Sequence, residues 1–304
     1  MVLNKVPLPI GGIALAIATL GSVYDLYGVP ARLALGAISF VLLALPLLKL
    51  LCVRGQVREV LSSPILSTVV GTFSMALIVL SGYLKPFSWH FAFAVFLLGA
   101  ALHTALIAWF TYRFLYRIPV PKMVTTWLIL YVGYASISIV SPAFGLQESL
   151  GLWVFWFSLT MCLALVPLLL WRYVVVRAIP EPEKLFICIF TAPAALCLVA
   201  YLKITATPVA WFVWTLGVLM LVSLFVVICF LPKLLSLPFY PSYAAFTFPF
   251  VISAMAGRCF ELYLTKGGIQ VSALHWVAIS QTVLATCLTA YALIRYATAA
   301  VRMA

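Results

Sequence analysis

Hydrophobic segments bearing proline or glycine near their start recur five times in this chain, near positions 9, 65, 122, 184 and 242, and each is followed by a second apolar segment. The intervals fall between 56 and 62 residues. A period of that length is one supersecondary unit used repeatedly, and two apolar segments per period make the unit a helical hairpin. The hairpins run at about 1–55, 56–115, 116–176, 177–233 and 234–304, as parts of a single transmembrane domain.

Composition decides what surrounds such hairpins. Of 304 residues, 66% are hydrophobic and 8% charged, and the mean hydropathy is +1.23. No soluble fold of this length covers that much apolar surface. A helix needs about 20 mainly apolar residues to cross the hydrocarbon layer, and only closed hydrogen bonding makes the crossing tolerable. Ten stretches qualify: Pro9 to Tyr27, Ala31 to Val53, Ile65 to Leu84, Trp89 to Tyr112, Met123 to Ser141, Leu150 to Tyr173, Leu185 to Leu202, Ala210 to Leu231, Ser242 to Leu264 and Val271 to Ala297. The connectors, among them Gly28-Val29-Pro30, Lys85-Pro86-Phe87 and Pro232 to Pro241, are short. The first nine residues carry no small-residue cleavage site, so the N-terminus is expected to be retained.

Ten spans put both termini on one side. That side holds thirteen basic residues, from Lys5 through Lys122 and Lys184 to Arg302, against five on the other: Arg32, Lys85, Lys203, Arg258 and Lys266. The bias places both termini in the cytoplasm, in the plasma membrane, which is the inner membrane of a Gram-negative cell. The net charge of +12 is mostly that orientation signal, with lipid head groups as its partners. Dispersed basic residues exclude a nucleic-acid patch.

Enzymatic chemistry finds little to work with. The seven cysteines form no C-x-x-C pair and no His stands at ligand spacing, so no metal or cofactor is expected. Nucleophile-base pairs, P-loops and dinucleotide fingerprints are missing, and the six acidic residues lie near span ends. His103 alone sits within a span: an intramembrane ionisable group is a functional candidate, and a satisfied interhelical hydrogen bond is the plainer reading.

The two kinds of helix differ. Even-numbered segments are bulky and aliphatic, as lipid-facing helices are. Odd-numbered ones carry small or helix-disturbing residues: Gly11-Gly12, Gly71, Gly133, Pro193 and Pro249. Small residues let backbones approach, and a mid-helix proline forces a kink. Five such helices predict an inner ring within an outer ring of even helices, and a ring encloses a pore.

The motifs Val6-Pro7-Leu8-Pro9-Ile10-Gly11, Ala192-Pro193-Ala194 with Cys197, and Ala245-Phe246-Thr247-Phe248-Pro249, in this order and spacing, resemble one family over nearly the whole chain. It is the tellurite-resistance/dicarboxylate transporter family, which includes the bacterial TehA, plant guard-cell slow anion channels and the yeast malate permease. The resemblance implies homotrimers with one anion pore per protomer, plugged by a phenylalanine that falls on Phe248. Packing beside a proline kink is the alternative for Phe246 and Phe248.

With no Lys or Arg near the middle of an odd helix, selectivity is expected from the mouths: Lys203, Arg258 and Lys266 outside, Lys122 and Lys184 inside. Arg258 and Glu261 share a helix face, so Arg258 is either an ion-pair partner or an anion collector. The expected function is passage of small inorganic or organic anions past a phenylalanine gate. A secondary carrier of C4-dicarboxylates is the alternative, with His103 its one titratable group at depth.

Overall fold

A computed structural model describes residues 6–269 and 272–302 of the chain. Lys5 and the expected start of the tenth span at Val271 lie outside the described residues. Every regular element among them is helical. Among the described residues nine helical segments are long and apolar enough to cross a membrane, and the helix Ile10–Asp25, at 16 residues, is shorter.

In chain order the α-helices of five or more residues are α1 (Ile10–Asp25), α2 (Arg32–Cys52), α3 (Gln56–Ser62), α4 (Pro64–Val69), α5 (Gly71–Leu84), α6 (Trp89–Phe110), α7 (Trp127–Tyr131), α8 (Ala135–Val140), α9 (Leu152–Trp171), α10 (Ala192–Ile204), α11 (Ala210–Leu235), α12 (Phe248–Lys266) and α13 (Ser272–Arg302). The short α3 interrupts what reads in the sequence as a plain connector. Two helices run at least four residues past expectation: α11 continues beyond Leu231 to Leu235, and α13 beyond Ala297 to Arg302. Pro232 forgoes one i→i−4 hydrogen bond without ending α11, which closes three residues later at Leu235.

Burial separates two populations that hydropathy alone does not. In the segments containing α2, α6, α9, α11 and α13, between 28% and 39% of the most apolar stretch is buried within the protein. For Pro64–Leu84, Trp127–Phe144, Glu181–Ile204 and Pro241–Lys266 the share is 67% to 83%. All but three of the 16 residues of α1 are buried as well. A helix that is apolar all round and still exposed suits an apolar solvent, as the outer faces of the first group do.

Contacts among the buried helices run α1 to α5, α5 to α8, α8 to α10, α10 to α12 and α12 back to α1. Each outer helix packs on the inner helix of its own hairpin, as α2 does on α1 and α13 on α12. Polar side chains fasten these seams: Ser39 donates to the Ala14 carbonyl at 2.7 Å, Thr68 to the Thr126 hydroxyl at 2.8 Å and Ser253 to the Thr191 carbonyl at 3.0 Å. Tyr83 donates to the Ala18 carbonyl.

Four of the five inner segments are broken. α4 and α5 part at Val70, α7 and α8 at a turn over 132–134, and 3₁₀ stretches, Leu185–Thr191 and Pro241–Phe246, precede α10 and α12. Glycine is required at the second break, since a Cβ on Gly133 would lie 1.9 Å from the Ile129 carbonyl oxygen. Pro193 and Pro249 therefore do not kink continuous helices, as their sequence position suggests. Each sits in the first two positions of its α-helix, where the missing N–H would be unpaired anyway. The prolines interior to helices, Pro46, Pro167 and Pro232, are on the outer helices.

Candidate functional site

Two cavities open between the inner helices. The first, about 310 Å³, is walled by the breaks themselves: Gly12, Val69, Val132 and Gly133, Ala192 and Pro193, Ala244 and Ala245, Phe248 and Pro249. The second, about 400 Å³, lies along the later turns of the same helices, from Thr19 and Ser136 out to Asp25, Arg32, Lys85 and Lys203. Leu196 and Phe248 alone belong to both walls. The Phe248 side chain, 9% exposed, thus stands where the two cavities meet.

The break before α12 holds it there. Pro241–Phe246 forms a 3₁₀ stretch, Thr247 follows with φ −105° and ψ −91°, and Phe248 and Pro249 begin the α-helix. Thr247 closes this turn by donating its hydroxyl to the Ala244 carbonyl at 2.7 Å. Phe246, two residues earlier, is wholly buried, meets the Tyr243 ring edge to face at 5.2 Å and lines neither cavity. Its role is packing.

The first cavity is apolar in a strict sense. Its four polar side chains are already engaged: Thr72 with the Val69 carbonyl at 2.7 Å, Ser242 with the Pro182 carbonyl at 2.6 Å, Tyr240 with the Glu181 carboxylate at 2.6 Å and Glu183 with Arg172 at 3.1 Å. The Glu181 carboxylate that Tyr240 donates to holds its phenol above the ordinary value. No lysine or arginine lines this space.

The second cavity is cationic. Asp25 and Arg32 pair across it at 3.0 Å, which leaves the Lys85 and Lys203 ammonium groups uncompensated on its wall. Both are exposed, so their field is long-ranged and screened by salt.

Of the residues singled out from the sequence, Gly12, Gly133, Pro193, Phe248 and Pro249 line the apolar cavity and Lys203 the cationic one. Gly11, Gly71, Arg258 and Lys266 line neither. Gly11 is a packing glycine, because a Cβ there would come within 2.1 Å of the Phe73 ring. At Gly71 a Cβ would meet only ordinary contacts, the nearest being Leu130 at 3.5 Å. Arg258 pairs with Glu261 at 2.7 Å, donates to the Leu26 carbonyl at 3.3 Å and lies 4.5 Å from the centre of the Tyr27 ring. Glu261 also receives His275 at 2.7 Å. Arg258 is therefore a structural tie between α12 and the α1–α2 turn. Lys266 is exposed at the end of α12.

His103 lines neither cavity either. It is wholly buried, with Nε2 at 2.8 Å from the Leu130 carbonyl and Nδ1 at 2.8 Å from the Ser74 hydroxyl. A carbonyl only accepts, so Nε2 carries the proton and the ring joins α5, α6 and α7. Residue type alone gave no hint of Leu196, Arg32 or Lys85 as cavity residues. The usable signal for Leu196 is its place one helical turn after Pro193.

No curated protein matches the chain. Residues 6–297 match a family described as voltage-dependent anion channel. With nearly its whole length covered by that match and apolar helices throughout, this membrane-embedded chain belongs to the voltage-dependent anion channel family.

Proposed function

We propose that the chain conducts small anions through a pore running along the two cavities and past Phe248. On this reading α1 is the tenth crossing, the five buried segments form an inner ring, and the lipid-exposed helices form the outer one. The observation that carries it is the sharing of Phe248 between two cavities that otherwise have only Leu196 in common. A ring at that point separates two spaces of about 310 and 400 Å³ and, by moving, joins them. An apolar plug of this kind closes a pore both sterically and by dewetting.

Selectivity follows from what the walls lack and supply. Lys85 and Lys203 raise the local anion concentration at one mouth. No cation lies along the apolar half to trap the ion. Anions that shed water easily are favoured, and weak binding suits passage. The bias of basic residues places the cationic cavity on the extracellular or periplasmic side and both termini in the cytoplasm. A homotrimer with one pore per protomer is the proposed assembly.

The carrier alternative is less well supported, because His103, its titratable group, is buried away from both cavities with both ring nitrogens engaged. The test is current through purified protein in planar bilayers under chloride, nitrate and malate gradients, for wild type and Phe248→Ala. Anion-selective current that grows in the variant supports the proposal. A folded variant with no more current than wild type removes the gate.

A further inference from the structure

In the buried helices of this protein, many hydroxyl side chains bond back to a carbonyl three or four residues earlier, the usual outlet for Ser and Thr in a helix, and Ser138 donates across to the Gly151 carbonyl at 2.8 Å. Thr19 reaches Leu15 at 2.8 Å, Thr72 reaches Val69 at 2.7 Å, Thr191 reaches Cys188 at 3.0 Å and Ser253 reaches Pro249 at 2.9 Å. Ser136 departs from the pattern. It is 2% exposed, its Oγ has no hydrogen-bond partner, and it lines the cationic cavity. Ser158 is likewise unpartnered but lines neither cavity.

Ser136 follows the turn over 132–134, whose Val132 and Gly133 carbonyls receive the backbone N–H groups of Ala135 and Ser136 at 3.0 Å. The break sets the height of Ser136. Gly133 faces the apolar cavity and Ser136 the cationic one, and three residues of helix rise only about 4.5 Å. Ser136 therefore lies within about one helical turn of a residue that walls the apolar cavity.

We propose that Ser136 is an anion-binding residue, its hydroxyl donating to one small monovalent anion held at the deep end of the cationic cavity. The inference rests on the channel reading above and names a binding position within it. A buried hydroxyl without a partner is an outlet waiting for an acceptor, and the ion drawn in by Lys85 and Lys203 is an acceptor. A turn about χ1 brings the hydroxyl to it. One neutral donor, with the lysines at the exposed rim, suits a halide or nitrate. Phosphate, sulfate and dicarboxylates need several donors at once.

The test uses the full-length protein with Phe248→Ala as parent, so that current is measurable. Adding Ser136→Ala is expected to raise the half-saturating chloride concentration threefold or more and to change the nitrate-to-chloride permeability ratio. Ser136→Thr, which keeps the hydroxyl, restores both. A saturation curve and permeability ratio identical to the parent, in a variant of unchanged thermal stability, overturn the proposal. Anomalous diffraction from crystals of the wild-type protein in bromide gives a readout independent of current. Bromide within hydrogen-bond distance of Ser136 Oγ supports the assignment, and an empty position at saturating bromide overturns it. A parent without current contradicts the channel reading and leaves the bromide result to decide this one.

Discussion

The apolar and the cationic cavity are built from the same inner helices, yet they treat an anion in opposite ways. One is walled by helix breaks and first turns, with each polar side chain bound to a protein partner. The other is walled by the later turns, with two unpaired ammonium groups and an unpartnered hydroxyl. The charges sit where a helix tolerates them: Lys203 is in the last turn of α10, where a cation complements the negative end of the helix dipole. The first turns are positive, need no cation, and are filled with glycine, alanine and proline so that backbones can meet. The same helices therefore carry a polar gradient along their length, with Phe248 where the two regimes join.

Removing the junction should have the largest effect. Phe248→Ala is expected to raise anion current roughly a hundredfold, since both steric closure and dewetting are relieved. Single-channel recording checks it. The next largest effect falls on the break that divides the walls. A methyl group at Gly133 collides with the Ile129 carbonyl and with Met75 Sδ at 2.7 Å, so Gly133→Ala should cost about 2 kcal/mol of stability, measured by thermal unfolding in detergent.

The electrostatic half of the contrast is probed at Lys203. Lys203→Glu should lower anion conductance about fivefold at low salt. The deficit should shrink as the Debye length falls from about 30 Å at 0.01 M to about 3 Å at 1 M. A deficit that ignores ionic strength would mean that Lys203 acts by contact and not by its field. The smallest effect on conductance belongs to Arg258, which faces neither cavity. Arg258→Gln should cost about 1.5 kcal/mol, as expected when a charge-assisted hydrogen bond in a mostly buried pair is lost, and leave the permeability ratios unchanged.

The long apolar helices are legible in the sequence, because crossing a hydrocarbon layer demands them. The division into exposed and buried segments is equally readable, since glycine and proline mark helices that must approach others. What the residues conceal is where an inner helix breaks. Pro193 and Pro249 read as mid-span kinks because span length was judged by hydropathy, which does not distinguish a 3₁₀ stretch such as Leu185–Thr191 from α-helix. Cavity lining was legible where residue type carries it, as at Gly133, Phe248 and Lys203. It was not legible at Leu196, an ordinary leucine placed by helical phase. Arg258 shows the converse: a conspicuous cation near a mouth whose partners, Glu261 and the Leu26 carbonyl, turn it into a fastening.

The most direct measurement is the reversal potential of Phe248→Ala in a bilayer under a tenfold chloride gradient. A path joining the two cavities through that ring predicts a large current reversing close to the chloride equilibrium potential, about 59 mV in magnitude. A folded Phe248→Ala protein whose current is no larger than wild type, or reverses near 0 mV, would contradict it.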